Sequence, residues 1–229
     1  MKIIALGDTH GRDHWKEIAA SNRFDKLIFI GDYFDSHGEL SADIQISNFK
    51  EIVLFKKSFP EKVILLLGNH DYHYLDQTFG KYTGYQHEYE NEISDLLVNA
   101  VDEKLIQIAF IWQRFLFTHA GVTKTWCSDK SIDLRDLENS INSLFISAPK
   151  SFMFNPGICG SSSGDDVTQS PIWVRPNSLL QDKIDNYIQI VGHTQYSRIE
   201  IRDNVAFIDT LGESGEYLVI EDEIMRSSG

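Results

Sequence analysis

Three short apolar runs, KIIAL at 2 to 6, KLIFI at 26 to 30 and KVILLL at 62 to 67, constrain this chain more than any other feature. Each is too short for a buried helix and rich in Ile, Val and Leu on consecutive positions, the pattern of a strand covered on both faces. The segments between them, near 12 to 21 and 42 to 58, carry apolar residues at helical spacing; the second includes Ile44, Phe49, Ile52, Val53 and Phe55. Strand, helix and strand in alternation predict a βαβ core with a parallel sheet.

Each of the three runs stops at a glycine followed by residues that can bind a metal. The stretches are Gly7-Asp8-Thr9-His10-Gly11, Gly31-Asp32-Tyr33-Phe34-Asp35 and Gly68-Asn69-His70-Asp71. Two later apolar runs end the same way, in Thr118-His119-Ala120-Gly121 and Gly192-His193-Thr194. Ligands of α/β sheets bind at the carboxyl ends of strands, where loops converge on a rigid frame. Five such ends predict one shared site. Carboxylate, imidazole and amide oxygen suit Mn, Fe, Zn, Co or Ni, and the lack of thiolates among these residues argues against a structural zinc knot.

The rest of the chain adds further elements. Helical spacing recurs over 88 to 101 and over 131 to 147, the latter with Asp133 as its cap. LIQIAFIWQRFLFTH reads as two strands broken at Trp112-Gln113-Arg114, and 157 to 166 as a loop. From 187 onward short strands follow one another, at 187 to 194, 196 to 202, 205 to 210 and from 216, with Asp203-Asn204 as a turn.

Composition narrows the function. A chain of 229 residues fits one domain with a large core. A formal charge of −13 disfavours nucleic acid and anionic membranes, although bound cations would still admit a phosphate. The opening apolar run is too short for a signal core or a membrane span, and Cys127 and Cys159, read as free thiols, fit a reducing, cytoplasmic compartment.

Taken together and in order, GDTHG, GDYFD, GNHD, THAG and GHT resemble the motifs of the calcineurin-like metallophosphoesterase superfamily. Gln195, where many members have a second histidine, resembles the phosphoprotein-phosphatase-like branch with its phage and bacterial enzymes. The resemblance implies a four-layer αββα sandwich of two mixed sheets flanked by helices. It implies one domain over 1 to 229, with a helical and loop cover at about 122 to 170.

By the same resemblance Asp8, His10 and Asp32 hold one divalent ion, and Asp32, Asn69, His119 and His193 hold a second, Mn being favoured. A shared carboxylate sets two ions about 3.5–4 Å apart, a spacing suited to activating water against phosphorus. His70 is implied as the proton donor to the leaving oxygen and Asp35 as its orienting partner. In the phosphate-contacting arginine's usual place the chain has Ser36, followed by His37. Arg175, in PIWVRP, is the best remaining phosphate clamp; Asn69 and Arg12 assist.

The expected activity is hydrolysis of phosphate monoesters, on small molecules or on phosphoserine, phosphothreonine or phosphotyrosine in proteins. Dinucleoside polyphosphate hydrolysis, phosphodiester hydrolysis and a catalytically inactive scaffold of the same fold stay open. Tyr72, His73 and Tyr74 are expected to pack their loop, and His14, His37 and His87 to lie at the surface.

Overall fold

A computed structural model describes residues 1–156 and 164–229. In chain order the elements are β1 (Lys2–Leu6), α1 (His14–Ser21), β2 (Lys26–Phe29), α2 (Ala42–Ser58), β3 (Val63–Leu66), α3 (Asn69–Tyr72), α4 (Glu90–Asp102), β4 (Ile106–Gln107), β5 (Ala109–Trp112) and β6 (Phe115–Thr118). There follow α5 (Lys124–Asp129), α6 (Leu137–Ser147), α7 (Pro176–Asp182), β7 (Ile188–Val191), β8 (Glu200–Arg202), β9 (Val205–Phe207), β10 (Leu218–Glu221) and β11 (Ile224–Ser227).

The strands form two mixed sheets, in the orders β11-β10-β1-β2-β3-β4 and β5-β6-β7-β9-β8. β1 to β4 run parallel, as do β6, β7 and β9, so their carboxyl ends share one direction within each sheet. The continuous apolar runs are explained by the alternation of side chains along β1. Ile3 and Ala5 enter a core shared with Phe115, Phe117, Ile188 and Ile190 of the other sheet. Ile4 and Leu6 pack with Trp15 and Ile18 of α1 and Phe49 and Ile52 of α2. Helices over the outer faces complete the expected αββα sandwich. Among the described residues no helix is long and apolar enough to cross a membrane.

Some expectations need correction. On α2 the buried stripe is Ile46, Phe49 and Ile52, spaced by three, and Ile44, two residues earlier, is 50% exposed. The helix expected over 131 to 147 begins as a 3-10 turn at Leu134–Asp136 and becomes α6 only at Leu137. Asp133 does cap, but it caps the turn, accepting from the Arg135 backbone N–H. The strand expected over 196 to 202 pairs only from Glu200. The sequence reading missed β11, a half-exposed edge strand joined to β10 through Asp222 and Glu223, both left-handed. The loop expected over 157 to 166, together with Cys159, falls largely outside the described residues; Cys127 is free and buried.

Candidate active site

The elements deliver the five strand ends to one place. Asp8, Asp32 and Asn69 follow β1, β2 and β3 of the first sheet, whereas His119 and His193 follow β6 and β7 of the second. All five are at least nine-tenths buried. Ligand-competent atoms of Asp8, Asp32 and His119 lie within 4.8 Å of one another. His119 Nε2 stands 3.4 Å from Asp32 Oδ2 and 2.9 Å from Asn69 Oδ1, and His193 Nδ1 stands 2.7 Å from that same amide oxygen. On the other flank His10 Nε2 is 4.0 Å from Asp32 Oδ2, leaving Asp32 between two sets of donors.

The imidazoles are oriented from behind. His10 Nδ1 lies 2.6 Å from the Phe34 carbonyl, His119 Nδ1 3.1 Å from that of Ile30, and His193 Nε2 3.2 Å from that of Trp173. A carbonyl oxygen only accepts, so each of these nitrogens carries the proton and the opposite lone pair turns into the cage. Burial keeps all three rings neutral: His10 is pushed down to about 3, and His119 and His193 well below the ordinary histidine range. The inward lone pairs therefore face carboxylate and amide oxygens.

The carboxylates tell the same story. Burial pushes Asp32 up to about 8 and raises Asp8 well above its usual range, with the neighbouring charges of Asp209 and Asp32 adding to the rise at Asp8. Negative oxygens and imidazole lone pairs converging in a dry space are the donor set of a divalent cation, which would restore the ionised state of the carboxylates. The residues present thus fit a metal centre with Asp32 as the common ligand.

The backbone is strained at the site as well. His10, Asp32, Asp35 and His193 all have positive φ, at 45°, 50°, 62° and 65°. Side chains rarely tolerate this region unless the surroundings impose it. Gly68 shows why glycine precedes Asn69: a Cβ there would sit 2.0 Å from Asp32 Oδ1 and 2.3 Å from the Asp32 backbone nitrogen. Gly68→Ala should therefore destabilise the fold by about 1–3 kcal/mol, the usual cost of overpacking, in urea melts. It should also weaken metal retention in dialysis, because Asp32 has to move.

Beside the cage lies a second group. Asp35, fully buried, is 3.1 Å from His70 Nδ1 and accepts from Tyr74 Oη at 2.6 Å and Gln86 Nε2 at 3.2 Å. His73 Nε2 is 2.7 Å from the same carboxylate without the alignment of a hydrogen bond. Burial alone would raise Asp35, yet these contacts hold it below the usual carboxylate range. Burial lowers His70, but the charges of Asp32 and Asp35 outweigh it and raise its pKa. The His70 backbone N–H donates to Asp32 Oδ1 at 2.8 Å, tying this pair to the cage.

The remaining predicted residues are placed as follows. Arg175 Nη1 donates to the His193 carbonyl at 3.1 Å and to Thr194 Oγ1 at 3.2 Å, at the cage wall. Arg12 makes an ion pair with Glu39 and donates to the Thr9 carbonyl. Ser36 is turned inward, its hydroxyl bonded to Leu40 and Gln45. Gln195 reaches Glu213, outside the cage.

Four residues take part here in roles that the sequence did not assign to them. Asp71 clamps two loops by accepting from the Tyr33 and Gly68 backbone N–H groups at 2.8 and 3.0 Å, and Asp209 borders Asp8. Tyr74 and Gln86 buttress Asp35. Asp209 ends the apolar run VAFID just as the recognised acids end theirs; nothing local marks Gln86.

The sequence profile of calcineurin-like phosphoesterases matches residues 1–195. The chain belongs to that family. Within this phosphoesterase family it is similar to the serine/threonine-protein phosphatase ppe1 of Schizosaccharomyces pombe, with 28% identity over 129 residues, 53% of this chain and 39% of the relative. It is also similar to a probable serine/threonine-protein phosphatase of Encephalitozoon cuniculi, with 32% identity covering 53% of this chain and 26% of the relative. The chain thus spans well under half the length of these curated relatives. Among solved structures, a cold-active protein-tyrosine phosphatase of Shewanella shares the fold at TM-score 0.60 and 20% identity, covering 99% of this chain and 77% of that one. A Saccharomyces cerevisiae protein serine/threonine phosphatase does so at TM-score 0.58 and 13% identity, covering 99% and 79%.

Proposed function

We propose that this calcineurin-like phosphoesterase is a dinuclear, metal-dependent phosphomonoesterase acting on phosphorylated small molecules or on phosphoserine, phosphothreonine or phosphotyrosine of proteins. The observation that carries the reading is the Asp35–His70 pair at the edge of the cage, 3.1 Å apart, with the His70 backbone bonded to Asp32. It joins a proton donor to a cation site, the two components that ester cleavage requires.

In this reading Asp8, His10 and Asp32 hold one ion and Asp32, Asn69, His119 and His193 the other. Bound divalent ions supply electrophilic polarisation of the phosphoryl oxygens and activation of water. The protein's own groups do the rest. Arg175 and Asn69 orient the phosphoryl group, and Arg12, engaged by Glu39, has an auxiliary part. His70 delivers a proton from its ring to the departing oxygen, and Asp35 fixes the ring's direction. The segment from about 122 to 170 shapes substrate access within a single domain over 1 to 229. Mn in a cytoplasmic setting is the preferred occupancy, with Fe, Zn, Ni or Co as alternatives.

The test is to strip the protein with chelator, reconstitute it with each ion and measure phosphate release from phosphopeptides, p-nitrophenyl phosphate and dinucleoside tetraphosphate. Faster monoester hydrolysis with Mn is expected. Preferential cleavage of the dinucleotide would overturn the reading, as would inactivity on every substrate with every ion.

Replacing Asp35 gives a sharper check on the proton donor. Asp35→Asn removes a charge that raises the His70 pKa. An acid must be protonated to act, so activity falls as pH passes its pKa, and the alkaline limb of kcat should move to lower pH in the variant. The maximum should fall by about ten- to a hundredfold, as when a partner orienting a histidine is lost. An unmoved limb would detach Asp35 from His70.

A further inference from the structure

The loop that carries Asp35 lacks the arginine expected at position 36, and the inward hydroxyl of Ser36 is consumed by Leu40 and Gln45. The next residue behaves differently. His37 is exposed and holds a left-handed backbone, φ 53°. Its ring meets two imidazoles of the site edge on, with ring centres 5.3 Å from His70 and 6.1 Å from His10. Gly84 backs it closely: a Cβ there would lie 3.2 Å from His37 Cε1 and Nδ1.

Arg175, the assigned phosphate clamp, stands against the His193 carbonyl. A phosphoryl group held by Arg175 with its leaving oxygen at His70 would also come near the His37 ring, whose centre is 5.3 Å from that of His70. His70 is paired with Asp35 and assigned to the leaving oxygen, so it does not serve a non-bridging oxygen beside it. We propose that His37 does, donating a hydrogen bond to a phosphoryl oxygen in place of the arginine this loop lacks. The inference rests on the phosphomonoesterase reading. A single imidazole N–H replaces a two-pronged guanidinium, so the site grips phosphate less rigidly and leaves more room for the substrate's own substituents.

The test is titration calorimetry of inorganic phosphate into Mn-loaded protein, with metal content measured on the same samples and KM for p-nitrophenyl phosphate alongside. His37→Ala should weaken phosphate binding by about three- to tenfold, the worth of one hydrogen bond, and raise KM comparably. His37→Gln, which keeps a donor, should recover most of the affinity, and both variants should retain the wild-type metal content. Unchanged phosphate affinity in His37→Ala would overturn the proposal, and so would a parallel loss of metal, which would make His37 a ligand or a prop for the loop. If the wild-type protein binds phosphate through His37 yet hydrolyses no monoester, the functional reading fails and this inference stands.

Discussion

His70→Ala should lower kcat by roughly 10²–10⁴-fold, the range of a lost general acid, while metal content stays at the wild-type level. The deficit should depend on the leaving group. An alkyl phosphate, whose alkoxide leaves poorly without a proton, should suffer near the upper end, and p-nitrophenyl phosphate, whose phenolate leaves unaided, near the lower. Steady-state kinetics on the two substrates, with metal analysis of each preparation, checks this. Equal losses on both would mean that His70 serves binding or loop structure rather than proton delivery. Its ring is bonded to Asp35 while its backbone holds Asp32, so the alanine variant removes the first connection and keeps the second.

Asp32→Asn should abolish cooperative retention of the metal pair, since Asp32 lies between His10 on one flank and His119 on the other. In thermal melts the wild-type protein should gain stability on saturation with Mn, about 2.7 kcal/mol at a hundredfold excess over Kd for one site, and the variant should gain little. The metal-free wild type should also show a distinctive pH dependence. The folded pKa of Asp32, about 8, lies above its unfolded value of 3.8. The folded state therefore binds more protons than the unfolded chain between those values, and stability falls as pH rises through the window. Asp8, raised by burial, Asp71, pushed up to about 7, and Asp209, pushed up to about 6, act in the same direction. Below 6.5, the ordinary histidine value, the buried neutral His10, His119 and His193 act in the opposite direction, so the fall is read above it. Asp32→Asn should flatten this slope, and Mn should suppress it in the wild type; a metal-free protein that gains stability from pH 6.5 to 8 would contradict both the burial and the crowding of these carboxylates.

The parts of the site that were legible in the sequence follow from backbone periodicity. A strand buried on both faces can tolerate a polar residue only where it ends, so Asp8, Asp32, Asn69, His119 and His193 announce themselves by interrupting apolar runs. Asp209 does so too, but a single acid after VAFI resembles an ordinary turn. Gln86 meets Asp35 from a loop that comes back to the site well after β3, and no local pattern encodes such a return; Tyr74, just past α3, reaches the same carboxylate. His73, expected to pack its loop, is buried against Asp35 and Tyr74. Helix positions were less secure than strand ends: Ile44 and Ile46 are both apolar, and which one faces the core depends on how α2 is rotated against β2 and β3.

The two sheets have a consequence for how the protein comes to be competent. Asp8, Asp32 and Asn69 belong to one sheet, His119 and His193 to the other, and Phe115, Phe117, Ile188 and Ile190 line the seam between them. Neither half alone carries all of the proposed ligands, so bound ions would rivet together two plates that must already be aligned. A molecule whose halves docked out of register would hold these side chains apart and leave the ions nowhere to seat.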